Sequence, residues 1–208
     1  MRRALPILLA CLVLGGCTAA PAPMAAPDPE TTVGSPGHPV LLVAYTPNEQ
    51  VRVRFEDRLR GDLAAAGIEA LAGHDLIETF ALLEFDLLLD TAERRAAPMI
   101  LMVRRLITEL PGDGTAPPPE VRRHRTLREY FGAADRTRLP DLPPPGRQVV
   151  EVAGYLRNGR RTELVWSGYS WVAFDGDLDA AIRETAEIIA GNLAPACQGI
   201  SCDFRETP

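Results

Sequence analysis

The chain contains no lysine: all 22 of its basic residues are arginine. That absence excludes a Schiff-base lysine, a lysine nucleophile and the lysine of a Walker A loop. Histidine is nearly as scarce. His38, His74 and His124 stand far apart without the spacing of a zinc site, so no metal is expected. Aromatic residues make up only 6% of the chain, and no run approaches the roughly 18 apolar residues of a membrane span. Gly-x-Gly-x-x-Gly and P-loop patterns are missing as well. The near miss for a serine hydrolase, Gly168-Tyr169-Ser170-Trp171-Val172, lacks the final glycine and sits in a strand-like run, not at a strand-to-helix elbow. With 28 acidic residues and a net charge of -6, the chain also lacks the basic footprint of a nucleic-acid binder. No cofactor and no catalytic residue are assigned.

What is present is an ordinary globular composition: 208 residues, 46% hydrophobic and 24% charged, enough for one domain with a proper core. Nineteen prolines are unusual, and fourteen of them fall in two stretches, 21–39 and 111–147.

The first residues speak to the compartment. Met1-Arg2-Arg3 is a positive n-region, and Ala4 to Leu14 is an apolar run of signal-peptide length. The run closes on Leu14-Gly15-Gly16-Cys17, which resembles the bacterial lipobox. That resemblance implies cleavage between Gly16 and Cys17, diacylglyceryl on the thiol and a fatty acyl group such as palmitate on the new amine. Cys11 offers a second, less suitable lipobox, because it leaves too short an apolar core. Thr18 follows in place of Asp, which in such lipoproteins implies the periplasmic face of the outer membrane. At about 0.8 kcal/mol per buried CH₂, three acyl chains anchor permanently. Residues 18–39 are mostly Ala, Pro, Ser, Thr and Gly with almost no large apolar side chain, and read as an extended tether. The division is therefore 1–16 signal peptide, 17–39 lipidated cysteine and tether, 40–194 folded domain, and 195–208 tail.

Within the domain, Val40 to Tyr45 reads as a buried strand. Thr46-Pro47-Asn48-Glu49 gives a capping box, and Val51, Phe55, Leu59 and Leu63 give a helical stripe that stops at Gly67. Ile68 to Leu71 is a second strand. Phe85, Leu88, Leu89, Ala92 and Ala96 form a second stripe closed by Pro98, and Met99 to Ile107 is a central strand. The segment 109–147 carries eight prolines and no period, so it is an insertion. Val149 to Leu156 and Thr162 to Val172 flank Asn158-Gly159, a hairpin signal. Alternation puts Leu164, Trp166, Gly168 and Ser170 of the second strand on one face. A last helix spans about Asp177 to Leu193, with Asp175, Asp177 and Asp179 read as its turn and first-turn acids, not as a calcium loop. The expectation is an α/β, two-layer sandwich with a mixed sheet in the order β-α-β-α-β, insertion, hairpin, helix.

The candidate functional residues are few. Cys197 and Cys202 are close enough for a disulfide that pins the tail in an oxidising compartment; a redox pair and free thiols are the alternatives. Arg122, Arg123, Arg125 and Arg128 cluster in the insertion ahead of Tyr130 and Phe131, where they suit an acidic partner or anionic headgroups, or form a solvated loop. A pocket at the carboxyl ends of the parallel strands, near Thr46 or Arg104, is the other place to look.

LLVAYTPNEQVRVRFEDRLRGDLAAAGIEAL, then APMILMVRRL, then VVEVAGYLRNGRRTELVWSGYSW and the final amphipathic helix resemble a group of small bacterial envelope lipoproteins. Their α/β domain is similar to those of the curli-secretion lipoprotein, the lipoprotein activator of a penicillin-binding protein and the amino-terminal domain of TolB. The resemblance covers about 40–107 and 148–194 and leaves out the insertion. It implies a non-catalytic accessory or assembly role with an envelope protein or cell-wall partner. The competing expectation is a small-molecule binder or enzyme using the strand-end pocket.

Overall fold

Strand β1 (Val40–Ala44) leads through a short turn into helix α1 (Glu49–Ala65) in the computed structural model, which describes residues 38–106, 124–133 and 146–198. The turn is capped differently from the expected box. Asn48, not Thr46, is the N-cap, its side chain accepting from the Val51 amide at 3.1 Å. Thr46 Oγ1 instead accepts from the Asn48 amide at 3.4 Å, one step earlier in the turn. Helix α1 ends as the sequence indicates. Gly67, at φ 82°, takes the left-handed position, and the Ile68 amide returns to the Leu63 carbonyl at 2.9 Å.

Strand β2 (Ala70–Ala72) follows, then two single 3-10 turns (Gly73–Asp75 and Phe80–Leu82) and helix α2 (Phe85–Arg94). The end of α2 repeats the same motif with an alanine. Ala96 has φ 52°, the Ala96 amide bonds Glu93 and the Ala97 amide bonds Ala92 at 2.8 Å. An L-residue in this conformation costs about 1 kcal/mol relative to glycine. Ala96→Gly is therefore expected to raise stability by roughly 0.5–1 kcal/mol in urea denaturation; a lowered midpoint would show that the alanine methyl contributes more than the strain.

Strand β3 (Met99–Leu106), helix α3 (Leu127–Ala133), the hairpin strands β4 (Gly146–Asn158) and β5 (Arg161–Phe174), and helix α4 (Leu178–Gln198) complete the chain. The sheet order is β2-β1-β3-β4-β5, parallel among the first three and antiparallel from β3 to β5. β3 is central, as its apolar run predicts. Val40, Leu42, Met99, Leu101 and Val103 face α1 and α4, packing on Phe55, Leu59, Leu63, Ile182, Ala186 and Ile189. Leu41, Val43, Ile100 and Met102 face the other way, onto Ile77, Phe80, Leu83, Leu88, Leu89, Leu127 and Tyr130.

The expected α/β fold with a mixed sheet and closing helix is what the chain forms. Helical elements cover the second face as well, so the sheet separates two apolar clusters. β1 and β3 are apolar at both parities, and such strands need cover on both sides.

Three details depart from the alternation. The two hairpin loop positions are Gly159 and Arg160, with Asn158 paired to Arg161, so the turn lies one residue beyond the expected Asn-Gly centre. A bulge next to Gly154 and Tyr155 pairs them with Trp166 and Leu164, leaving Val165 as the extra residue. Leu164 and Trp166 consequently lie on opposite faces, not together. Gly154 faces Trp166, and a Cβ there would collide with Met99 Cε. Helix α4 also runs past Leu193 and Pro195 to Gln198; a proline removes only one of its backbone hydrogen bonds. Asp177 opens it by accepting from the Ala180 amide at 3.0 Å.

Candidate functional site

The connection from β1 to β2 carries α1 on one face, and that from β2 to β3 carries α2 on the other. The sheet therefore has a switch point between the carboxyl ends of β1 and β3, where open α/β sheets commonly bind ligands. Tyr45 follows β1 there, and Arg104 lies near the end of β3 with Glu151 of β4 directly opposite in register. Arg104 Nε donates to Glu151 Oε2, with the two side chains 12% and 4% exposed. The Arg104 guanidinium also lies 4.4 Å from the centre of the Tyr130 ring.

Burial pushes the Glu151 carboxyl above its ordinary value, and the Arg104 charge and hydrogen bond oppose that rise. Burial likewise raises Tyr130 and Tyr155, and for Tyr155 the Glu151 charge adds to the effect. Tyr155 donates its hydroxyl hydrogen to the His124 carbonyl at 3.2 Å, whereas the buried Tyr130 hydroxyl has no hydrogen-bond partner among the described residues.

A second buried polar cluster lies at the same end of the sheet on the α1 side. β2 pairs with β1 only as far as Leu42 and Ala72, so the next rung is open. Glu56 fills it: Oε1 accepts from the Ala44 amide at 2.8 Å and Oε2 from the His74 amide at 2.6 Å. His74 Nδ1 lies 2.9 Å from the same Oε2. One and two turns earlier on α1, Arg52 donates to the Ile77 and Glu78 carbonyls, both at 3.0 Å, and Glu49 accepts from Arg52 Nε and the Phe80 amide. Glu49, Arg52 and Glu56 thus form a polar stripe that straps residues 73–80 to α1. The Glu56 carboxyl is raised by burial against the pull of its donors and of Arg52.

These two carboxyls set a direction for stability against pH. A folded value above the unfolded one means stability is fully present below the ordinary glutamate value and lost as pH rises through the raised one. The melting temperature is expected to fall as pH rises above the ordinary glutamate range, with a shallower slope in Glu151→Gln. A profile that stays flat or rises from the ordinary glutamate range upward would reject the raised direction.

No protein-family model matches the chain, and no curated protein matches it. Two crystal forms of a PelC dodecamer from Paraburkholderia phytofirmans, one of them a point variant, are distantly similar in structure. Each is 14% identical with a TM-score of 0.41; the matches cover 81% and 83% of this chain and 95% and 94% of theirs.

The expected site residues distribute as follows. Gly16, Cys17, Arg122, Arg123 and Cys202 lie outside the described residues, as does Cys11. Cys197 falls in the last turn of α4, and its pairing with Cys202 is likewise outside the described part. Arg125 and Arg128 are brought to the entry and first turn of α3. Arg128 lies exposed, 4.0 Å over the Phe85 ring and 3.7 Å from Asp86 Oδ1; the Arg125 carbonyl accepts from the Leu164 amide at 2.9 Å. Of the two strand-end residues singled out, Thr46 belongs to the α1 turn and Arg104 to the buried pair. Among the described residues no group of three or more acidic, His or Cys side chains is placed to hold a metal, and no helix is long and apolar enough to cross a membrane.

Sequence reasoning missed Glu56, Arg52 and Glu151 altogether. For Glu151 a signal existed: a lone acid between valines in a strand whose neighbours at both parities are apolar.

Proposed function

We propose that the chain is a lipoprotein held at the periplasmic face of the outer membrane, serving as a non-catalytic interaction or assembly module of the cell envelope. The observation that carries this reading is Leu14-Gly15-Gly16-Cys17 at the end of a signal-like apolar run, followed by the Pro- and Ala-rich stretch 18–39. It gains support from the use of the ionisable groups packed into the fold. Glu56, Arg52 and Glu49 strap the 73–80 segment, and Arg104 and Glu151 tie β3 to β4 under α3. Each is engaged in holding the fold, which leaves the surface to meet a partner.

The test is cross-linking in cells with mass spectrometry on tagged protein, with Cys17→Ala as the control. Labelled palmitate should enter the wild-type chain and not the variant, and a discrete partner should be cross-linked only when Cys17 is present. Labelling of both chains, or self-cross-links alone, would remove the anchored-module reading.

The second reading is a small-molecule binder or enzyme at the carboxyl ends of the parallel strands. The buried Tyr130 hydroxyl beside Arg104, without a hydrogen-bond partner among the described residues, favours it. It requires ligand-dependent melting shifts; a flat response to envelope sugars, metabolites and metals ends it.

A further inference from the structure

The domain carries its charge unevenly along the strands. At the amino end of β1 and β3, Val40, Met99 and Leu156 of β4 stand in one row of the ladder. The β4–β5 hairpin runs on past that row, with Arg157 paired to Thr162 and Asn158 to Arg161. At about 3.3 Å per residue, its turn stands about 7 Å beyond the row. This tip, residues 157–161, holds three arginines and no acid. Helix α2 ends beside it on Arg94 and Arg95, and the Arg157 amide donates to the Pro98 carbonyl at 2.7 Å.

Arg160 is held against α2 by Asp90 at 2.8 Å, with Asp86 at 3.8 Å. Arg95 and Arg161 are exposed and make no ion pair among the described residues. Exposed acids near this end do not belong to the tip: Glu163 lies in the Leu156 row, Glu69 leads into β2 and Glu93 lies within α2. At the opposite end of the strands the exposed side chains include Glu78 and Glu84 beyond β2, and Asp175 and Asp177 beyond β5. The chain that leads from Cys17 joins the sheet at Val40, at the basic end. Residues 18–39 span at most about 75 Å, long enough that the domain's own surface decides which end turns to a membrane.

We propose that the hairpin tip 157–161, with Arg94 and Arg95 at its side, seats the domain on anionic phospholipid headgroups, with the acidic end turned away from the membrane. Each guanidinium presents a planar fork that takes two phosphate oxygens at once and keeps its charge at any physiological pH. An anionic leaflet attracts the tip and repels the far end, so the same field sets both contact and orientation. This rests on the anchored-lipoprotein reading and adds to it a docking surface and a lipid class.

The test places a benzoylphenylalanine photocrosslinker in the full chain at Asn158, on the tip, or at Ala173, near the far end, in cells grown on radiolabelled phosphate. Labelled phospholipid attached at position 158 should exceed that at position 173 by about ten-fold. Arg95→Gln with Arg161→Gln should lower the adduct at 158 by about ten-fold. Arg54→Gln with Arg183→Gln removes the same charge from exposed positions on α1 and α4, and should leave it unchanged. Melting midpoints show whether the double variants keep the fold; if they do not, the comparison of 158 with 173 decides alone. Equal lipid adducts at the two positions, a protein adduct in place of lipid at 158, or an equal loss in both folded double variants overturns the proposal. That failure is separable from failure of the anchored reading, because labelled palmitate would still enter the chain through Cys17.

Discussion

Glu151→Ala should lower the free energy of unfolding by about 3–5 kcal/mol, the usual cost of leaving a buried charge without its partner. Glu151 and Arg104 face each other across β3 and β4, both largely out of water, with the Tyr130 ring closing over the guanidinium. Removing the carboxylate leaves Arg104 under that ring with no counter-charge. The double change Arg104→Met with Glu151→Leu should cost far less, within about 2 kcal/mol of wild type, because neither charge then has to be desolvated. Urea denaturation of the two single variants and the double variant, at constant m-value, reads the coupling directly. If Glu151→Ala were within 1 kcal/mol of wild type and the double variant no better, the pair would have to be solvated in solution and not the buried tie described above.

The contrast between what the sequence made legible and what it concealed has a physical basis. Element order, the central position of β3 and the stop at Gly67 were readable because each follows from local pattern: a continuous apolar run, a four-residue stripe, a glycine at a helix end. Helix α3 was concealed because its apolar content is only Leu127, Tyr130 and Phe131 amid proline-rich sequence, too little to show a period. The opposite facing of Leu164 and Trp166 was concealed because a bulge resets alternation without any mark in composition. The Asn48 cap was misassigned because Thr46 and Glu49 satisfy the same spacing rule, and only Glu49's contact with Phe80, 31 residues away, shows where that carboxylate goes. The buried polar pairs share this property. Their partners are 18 and 47 residues apart, so neither member announces the other.

The strap on α1 yields the other large expected effect. Glu56→Ala should cost about 3–5 kcal/mol, because two backbone amides, those of Ala44 and His74, then lose their acceptor in a site from which water is excluded. No shift of the backbone closes the gap. Gly73 already approaches so tightly that even a Cβ on it would stand 2.7 Å from the Leu42 carbonyl oxygen, so the strand ladder cannot advance to supply the missing rung. Glu56→Gln is the informative companion. It keeps one acceptor oxygen but turns an NH₂ group towards the other backbone amide, placing donor against donor. Its loss should therefore stand closer to that of Glu56→Ala than to zero, unlike a position where only shape mattered. Hydrogen exchange at Ala44 and His74 should accelerate in both variants well before exchange at Leu101 in the centre of β3. Were Glu56→Gln to melt with wild type and keep both amides protected, the carboxylate would be replaceable as a rung, and its placement between β1 and the 73–75 turn would be a matter of packing alone.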